Sequence, residues 1–329
     1  MKEAKYYQQT ENNRIDCNLC PHRCNIAPRK RGLCGVRKNK DGRLYTENYG
    51  KVSALGLDPI EKKPLYHFYP QRQILSVGTF GCNFTCDYCQ NWEISQEKPP
   101  LKELSPEQLV ETALKRDSFG IAYTYSEPSI WYEYMLDSCR LAADKDLSNV
   151  VVTNGYLNEK PLKELIPYLD AANVDLKAFD NEFYKKLCSG SLEPVLRNIK
   201  LLAESDVHLE LTTLIITDYN DSKEELEKLF SWVHDINPEI PIHLSRYFPR
   251  HKLDKPPTSI EKMEEAYRLA SKYLNYVYMG NVDNPEGGIT YCPECNSEVI
   301  LRKYYKVTNM LDDSRCPICK HQIHGKFKS

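Results

Sequence analysis

From residue 74 onward, short apolar runs alternate with longer segments whose apolar residues recur at helical spacing. This alternation is typical of βα units arranged around a parallel sheet. Six or seven such units predict an α/β fold that forms a partial or near-closed (β/α)6-7 barrel. The predicted strands lie near residues 74–79, 119–124, 148–153, 172–176, 207–215, 241–245 and 276–279.

Polar capping residues mark the helices between these strands. Ser105-Pro106-Glu107-Gln108 predicts a helix start, with an N-cap serine, a proline at the first helical position and a glutamine at the third. The caps of two later helices are expected at Asp221 or Ser222 and at Thr258 or Ser259. Further helices are predicted at about 129–144, 159–168, 193–204, 222–236 and 259–274.

The segments on either side of this repeating region have a different pattern. Residues 1–70 predict a small, irregular N-terminal module with four cysteines, in which Asp41-Gly42 makes a hairpin turn. Residues 71–287 would form the barrel. Residues 288–329 predict a C-terminal metal ribbon of the rubredoxin or zinc-ribbon kind.

Composition and charge place the chain among ordinary globular proteins. Hydrophobic residues make up 41% and charged residues 27% of its 329 residues, which argues against disorder. The sequence has neither an apolar run of membrane-spanning length nor the pattern of a secretory signal, so we expect a cytoplasmic protein. Residues 1–50 carry 11 Lys/Arg against 5 Asp/Glu and residues 291–329 carry 7 against 4, so the two ends are basic. We interpret this charge as solvated surface around metal modules.

Thirteen cysteines in a chain without an export signal indicate metal or redox chemistry, because the cytosol keeps thiols reduced. Eleven of them fall into three groups, and Cys139 and Cys188, which we interpret as plain buried thiols, stand alone. The groups are Cys17, Cys20, Cys24 and Cys34; Cys82, Cys86 and Cys89; and Cys292, Cys295, Cys316 and Cys319.

The central group has the spacing C-x3-C-x2-C and follows the first predicted strand, at the edge of a parallel sheet where ligands bind. Three thiolates can hold three irons of a cubane and leave the fourth iron open to another ligand. A structural zinc site would need a fourth protein ligand, for which the distant His67 is the alternative.

This segment, with Tyr88 just before the third cysteine, resembles the motif of the radical S-adenosylmethionine (SAM) superfamily. The resemblance implies a [4Fe–4S] cluster on Cys82, Cys86 and Cys89, with SAM chelating the open iron. Reductive cleavage of SAM would then give methionine and a 5′-deoxyadenosyl radical, for which the protein supplies binding and exclusion of water.

Later strand ends resemble SAM-binding segments of the same superfamily. Glu127 lies in a segment similar to the Gly-Gly-Glu motif, with both glycines replaced, although it could equally be a helix-start acid. Thr153-Asn154-Gly155 and Asp175-Leu176-Lys177 resemble segments of pyruvate formate-lyase-activating enzymes, which implies SAM contacts from Thr153, Asp175 and Lys177 and a turn shaped by Asn154. His243, Arg246 and His251 are candidates for substrate or adenine contacts, although surface or packing roles explain them better.

A narrower resemblance runs from end to end. The strings Cys20-Pro21-His22-Arg23-Cys24, Asp58-Pro59-Ile60-Glu61-Lys62-Lys63-Pro64 and Cys89-Gln90-Asn91-Trp92 are similar to those of AmmeMemoRadiSam-system radical SAM enzymes. That resemblance implies Memo-like and AMMECR-like proteins as partners, and an electron donor such as flavodoxin or ferredoxin. It does not give a substrate.

Both terminal cysteine groups predict metal sites. C-x2-C-x20-C-x2-C at the C-terminus is the spacing of two knuckles around one zinc ion, with a mononuclear iron as the alternative. C-x2-C-x3-C-x9-C at the N-terminus suits zinc or an auxiliary iron–sulfur cluster, and His22 is an alternative ligand.

Three functions follow as hypotheses. The first is a radical SAM enzyme that acts on a small molecule, and the second is an activase that installs a glycyl radical on a protein. The third is an RNA-binding or RNA-modifying protein that uses the basic ends, which is the weakest hypothesis because no aromatic stacking motif accompanies the basic residues. The terminal modules argue mildly against a minimal activase.

Overall fold

The computed structural model describes residues 1–303 and 306–327, and its N-terminal part is built from short antiparallel strands. The predicted hairpin is confirmed, since β5 and β6 (bounds below) pair across Asp41 and Gly42, whose φ values of 50° and 96° suit a tight turn. The strands are β1 Lys2–Glu3, β2 Tyr7–Gln9, β3 Ile15–Cys17, β4 Asn25–Ile26, β5 Arg37–Lys40, β6 Arg43–Thr46, β7 Lys51–Val52 and β8 Ala54–Pro59.

Strands and helices then alternate along the chain. Helix α2 (bounds below), for example, buries an apolar face that includes Leu109, Val110 and Ala113. The elements are β9 Gln73–Gly78, α1 Trp92–Ser95, β10 Lys102–Glu103, α2 Pro106–Lys115, β11 Gly120–Tyr123, α3 Tyr132–Ala143, β12 Ser148–Thr153, α4 Glu159–Leu165, β13 Ala171–Asp175, α5 Asn181–Phe183, α6 Glu193–Ala203, β14 His208–Ile215, α7 Lys223–Ile236, β15 Ile242–Arg246, α8 Ile260–Ala270 and β16 Val277–Gly280.

The central sheet has eight strands in the order β16-β15-β14-β13-β12-β11-β9-β8. Seven of them, β9 and β11 to β16, are parallel and correspond to the seven predicted strands. The eighth, β8, pairs antiparallel with β9. The sequence analysis placed residues 54–59 in the N-terminal module of residues 1–70. Pairing with β9 brings this segment into the sheet.

The observed helix starts decide between the alternative caps. Ser105 and Gln108 form the predicted capping box, and the side chains of Ser222 and Ser259 accept backbone hydrogen bonds at the starts of α7 and α8. The helix predicted at 129–144 begins as a 3-10 helix over Pro128–Trp131 before α3. Pro128 begins this 3-10 helix and has no backbone N–H. One fewer donor is therefore left unsatisfied at the start of the helix.

A three-stranded antiparallel ribbon follows the sheet: β17 Thr290–Tyr291, β18 Glu298–Lys303 and β19 Lys306–Asn309. It contacts the amino ends of the parallel strands, because Lys326 N donates to His67 O at 2.8 Å and Tyr278, near the start of β16, bonds Thr290. Residues 304, 305, 328 and 329 of the predicted 288–329 module lie outside the described residues.

No helix in the described part of the chain has the length and apolarity needed to cross a membrane.

Candidate active site at the carboxyl edge of the sheet

A cavity of about 300 Å³ opens at the carboxyl ends of the parallel strands. Its wall contains the cysteine loop after β9 and the first residues after β11, β12 and β13, so residues far apart in sequence meet there. All eight residues that the sequence suggested for the cluster and for SAM line this cavity: Cys82, Cys86, Cys89, Glu127, Thr153, Asn154, Asp175 and Lys177.

The cysteine loop is fixed by its backbone. Thr85 N donates to Cys188 O at 3.1 Å and Asp87 N donates to Leu187 O at 3.0 Å, which ties the loop to the turn that follows α5. Gly81 has φ 89°, and a Cβ at this position would lie 2.6 Å from Cys34 O, so only glycine fits directly before the first cysteine.

The three thiols sit where neutral sulfur is favoured unless a cation binds. Burial raises the pKa of the Cys82 and Cys89 thiols, and the neighbouring Cys188 thiol raises that of Cys86 most. Phe84 N donates to Cys82 Sγ at 3.3 Å, and Ser95 Oγ lies 3.3 Å from Cys89 Sγ. Such hydrogen bonds stabilise thiolates when a metal holds the loop.

Glu127 is buried, with 3% of its surface exposed, and both of its carboxylate oxygens accept hydrogen bonds. Oε1 accepts from Ser129 N at 2.9 Å and from Thr153 Oγ1 at 2.7 Å, and Oε2 accepts from Asn154 N at 2.8 Å. Burial raises its pKa, and these hydrogen bonds oppose the rise. Glu127 therefore caps the 3-10 helix and also joins the ends of β11 and β12 beside the cysteines.

Lys177 brings a positive charge into the cavity. Its Nζ donates to Asp175 Oδ2 at 2.9 Å. Burial acts to lower the pKa of Lys177, but Asp175 and the Cys86 and Cys188 thiols outweigh burial and raise it well above its ordinary value. The ammonium group thus remains charged beside the cysteine loop.

Comparison with known proteins identifies the family. Residues 76–233 match the radical SAM superfamily. The chain is also 44% identical over 332 residues to the uncharacterized protein MJ0808 of Methanocaldococcus jannaschii, covering 98% of this chain and 99% of that one. The chain belongs to the radical SAM superfamily. The members of this superfamily are enzymes, and membership implies a [4Fe–4S] cluster and SAM.

More distant radical SAM relatives include activating enzymes. The pyruvate formate-lyase-activating enzyme of Clostridium pasteurianum is 24% identical over 211 residues, which cover 59% of this chain and 87% of that one. Among solved structures, a radical SAM methyltransferase from Sphaerobacter thermophilus aligns with a TM-score of 0.52 at 16% identity over 64% of this chain and 67% of that one. At this identity the likeness shows the radical SAM fold alone.

The cavity at the carboxyl edge has a donor set that fits a cluster with SAM bound to it. The loop offers three thiols, and the cavity wall adds a carboxylate, an ammonium group and a hydroxyl at Glu127, Lys177 and Thr153. Ser126 Oγ, also in this wall, is buried and has no hydrogen-bond partner among the described residues. An unpartnered hydroxyl in the wall of a cavity is a group that a bound ligand or a water molecule can satisfy.

Two features of the radical SAM site escaped the sequence analysis. Tyr125 adopts φ 70°, the left-handed region, where the superfamily motif has glycine, and its hydroxyl donates to Asp58 Oδ2 at 2.7 Å. Lys63 Nζ contacts the same carboxylate at 3.0 Å, so β8 anchors the strained tyrosine. A backbone conformation that glycine adopts freely is therefore held here by contacts of the tyrosine side chain.

The second feature is Cys188, which the sequence analysis interpreted as a plain buried thiol. It is buried, and its Sγ lies 3.2 Å from Tyr88 OH, the aromatic residue inside the cysteine motif. A π-helical turn over Tyr184–Cys188 places it there. No local sequence pattern predicts such a turn. The sequence shows a single cysteine 99 positions after Cys89, but it does not show that this cysteine lies beside the cysteine motif.

The histidine candidates lie outside the radical SAM cavity. His67 bonds Tyr278 OH and His324 O at the amino ends of the strands, so the zinc alternative that used it is not supported by its position. His243 Nε2 lies 2.6 Å from buried Glu210, and His251 stacks on Trp92 with ring centroids 5.0 Å apart. Arg246 donates to Thr258 O.

The C-terminal cysteines form a compact site in the described residues. The sulfurs of Cys292, Cys295, Cys316 and Cys319 all lie within 4.8 Å of one another, as a single tetrahedral ion requires. Hydrogen bonds from Ser297 lower the pKa of Cys295 to about 6. This group could bind a metal, in agreement with its spacing.

Proposed function

We propose that the chain holds a [4Fe–4S] cluster on Cys82, Cys86 and Cys89 and binds SAM on its open iron. When bound, this pair supplies a 5′-deoxyadenosyl radical by reductive cleavage of SAM, and the radical abstracts hydrogen from a small-molecule substrate. One observation carries the proposal: three thiols of one loop share a cavity with a carboxylate, a hydroxyl and an ammonium group from three different strand ends. A structural metal site has no need of these additional groups.

The chain's own residues would orient SAM. Glu127 is proposed to accept a hydrogen bond from the SAM amino group through Oε2, because Oε2 accepts only from Asn154 N among the described residues, whereas Oε1 already accepts two hydrogen bonds. Lys177 would face the SAM carboxylate, while Thr153 and Asp175 would contact the ribose. Asn154 would shape the wall, since its Nδ2 lies 2.8 Å from Asn83 Oδ1 in the cysteine loop.

We extend the proposal to the rest of the molecule. The sheet would curve into the partial barrel of six or seven units that binds SAM in its mouth. The C-terminal group would hold zinc in preference to a mononuclear iron, and the N-terminal group zinc or an auxiliary iron–sulfur cluster. An oxygen-sensitive cluster and thirteen unpaired thiols suit the reducing cytoplasm.

The partners are proposed from resemblance. Similarity to AmmeMemoRadiSam-system enzymes suggests Memo-like and AMMECR-like proteins, and the activating-enzyme relatives suggest flavodoxin or ferredoxin as the electron donor. Similarity to the same relatives also supports a second candidate function, that of an activase that installs a glycyl radical on a partner protein. A glycyl radical signal on a partner protein, formed only when this chain and SAM are present, would favour that candidate.

The test is anaerobic reconstitution with iron and sulfide. We expect about four irons in the central site, and addition of SAM to the reduced enzyme should change the electron paramagnetic resonance (EPR) spectrum of the cluster because SAM ligates it directly. The Cys82→Ala, Cys86→Ala, Cys89→Ala triple variant should lose those irons and the response to SAM. Retention of both by the triple variant would overturn the proposal.

A further inference from the structure

Four cysteines of the N-terminal module come together in the fold. Cys17, Cys20 and Cys34 are buried, Cys24 is half-buried, and all four are free thiols. Cys17 N donates to Cys24 O at 2.9 Å, which closes the first knuckle. Cys24 Sγ lies against Gly32, two residues before Cys34, at 3.6 Å from the position that a Cβ would take there. Four neighbouring thiols without a disulfide, three of them buried, are typical of a metal centre.

A buried arginine beside these thiols indicates that they become anionic. Arg37 is 1% exposed, and its guanidinium donates to Cys17 Sγ at 3.8 Å while pairing with Glu133. Its Nε is buried without a hydrogen-bond partner among the described residues. A metal centre held by four thiolates is negatively charged, and a spare N–H group next to it would be satisfied by sulfur.

The spacing of the thiols differs from that of the C-terminal ribbon. In the ribbon, sulfurs approach pairwise to 3.5 Å between Cys292 and Cys319 and to 3.6 Å between Cys295 and Cys316, as around one ion. The N-terminal thiols, all of which lie in the described part of the chain, do not form such a compact set. In a cubane each thiolate binds a different iron, so the sulfurs stand further apart.

The N-terminal module lies directly against the loop of the central cysteines. Cys34 O is in contact with Gly81, one residue before Cys82, and Cys34 and Cys82 line one cavity of about 550 Å³. His22, the alternative ligand of the sequence analysis, instead places its Nε2 2.7 Å from Asn83 O. This hydrogen bond joins the two cysteine loops.

We propose that Cys17, Cys20, Cys24 and Cys34 hold an auxiliary [4Fe–4S] cluster that passes single electrons to the central cluster across the contact between Cys34 and Gly81. The metal assignment stands on the N-terminal residues alone, whereas the destination of the electron rests on the proposed function. A reduced flavodoxin or ferredoxin would give one electron to the auxiliary cluster, which returns to its oxidised state when the electron moves on. No atom is transferred.

Iron content tests the metal assignment. The Cys82→Ala, Cys86→Ala, Cys89→Ala variant leaves the N-terminal residues intact, so after reconstitution it should retain about four irons in a cluster that Mössbauer spectroscopy separates from a single thiolate-bound iron. Zinc in place of that cluster would overturn the inference and leave the proposed function standing. Loss of the cluster from a Cys34→Ser variant that keeps the central iron would place it on the N-terminal thiols.

Two electron sources test the relay. For Cys34→Ser, we expect the ratio of flavodoxin-driven to dithionite-driven 5′-deoxyadenosine formation to fall at least tenfold, because a small reductant can reach the central cavity directly. Cys139→Ser, at another fully buried cysteine in α3, is the matched control and should keep the ratio of the unaltered enzyme. Equal loss with both reductants in Cys34→Ser would refute the relay.

Discussion

At the scale of single residues, Glu127 shows how a structural and a functional role can coincide. The sequence left open whether this acid binds SAM or only starts a helix, and the structure shows that it caps the 3-10 helix. It also holds Thr153 and Asn154 at the edge of the radical SAM cavity. The Glu127 carboxylate therefore positions the wall of the cavity in the absence of a ligand.

Glu127→Gln should weaken SAM binding about tenfold to a hundredfold, because a charge-assisted hydrogen bond worth roughly 1.5–3 kcal/mol is lost. The amide would also present N–H to Asn154 N, which already donates to this side chain. SAM affinity can be measured by equilibrium dialysis on reconstituted enzyme with its iron content determined in parallel.

Glu225→Gln is the matched control for this prediction. Glu225 on α7 is a half-buried acid that, like Glu127, accepts a backbone hydrogen bond, here from Phe179, but it lies outside the cavity. Its SAM affinity should equal that of the unaltered enzyme. If the unaltered enzyme, Glu127→Gln and Glu225→Gln all bound SAM with equal affinity, Glu127 would be a capping residue without a role in SAM binding.

At the scale of elements, a buried acid joins three parts of the fold. Glu210 on β14 accepts from His208, from His243 on β15, and from the backbone N–H groups of Tyr66 and His67. Burial acts to raise the pKa of Glu210, but the hydrogen bonds from the two histidines outweigh burial and hold it well below its ordinary value. The ionised acid is therefore the form that the fold stabilises.

Glu210→Gln should lower the free energy of unfolding by roughly 3–5 kcal/mol, because it breaks a buried charged network. Since the folded pKa lies below the unfolded value of 4.5, the contribution of Glu210 is present above about pH 4.5 and is lost as pH falls through the folded value. When the pH is lowered from about 5, the free energy of unfolding should therefore fall less in the variant than in the unaltered protein. Urea unfolding at a series of pH values measures this difference.

The control for Glu210 is Glu265→Gln on α8. Its half-exposed ion pair with Lys262 is worth little, so the free energy of unfolding should change by about 0.5 kcal/mol at most. If Glu210→Gln and Glu265→Gln were equally stable at neutral pH, the network would not hold these elements together.

The elements also show what the sequence could predict. Seven parallel strands were predictable because each is a short apolar run and the runs alternate with helical patterns, and their carboxyl ends located the candidate site. Strand β8 and the turn over Tyr184–Cys188 were not, since both depend on partners far away in sequence. Network residues such as Glu210 and Arg302 likewise carry no local signal, because burial among distant elements defines them.

At the scale of the whole molecule, the ribbon closes the end of the sheet opposite the radical SAM cavity. Arg302 in β18 donates to Thr290 Oγ1 at 2.8 Å and to Tyr66 O at 2.6 Å, and its guanidinium lies 4.3 Å from the centre of the Tyr66 ring. The ribbon therefore covers the segment that Glu210 holds. Its candidate metal site and the candidate active site lie at opposite ends of the sheet.

Cys316→Ser should remove one metal ion per chain and lower thermal stability, because a small ribbon depends on its metal more than on its core. Iron in the central site should remain, since the ribbon supplies none of the residues that line the cavity. Elemental analysis of the purified protein before and after the substitution measures both quantities. An unchanged metal content would show that these cysteines hold no ion.

The most direct test of the account is formation of 5′-deoxyadenosine from SAM by the reconstituted enzyme with dithionite. We predict that the unaltered protein releases 5′-deoxyadenosine and methionine in equal amounts, and that the Cys82→Ala, Cys86→Ala, Cys89→Ala variant releases neither above background. Equal release by the variant, or none from an unaltered protein carrying a full central cluster, would contradict the assignment of this cavity to radical SAM chemistry.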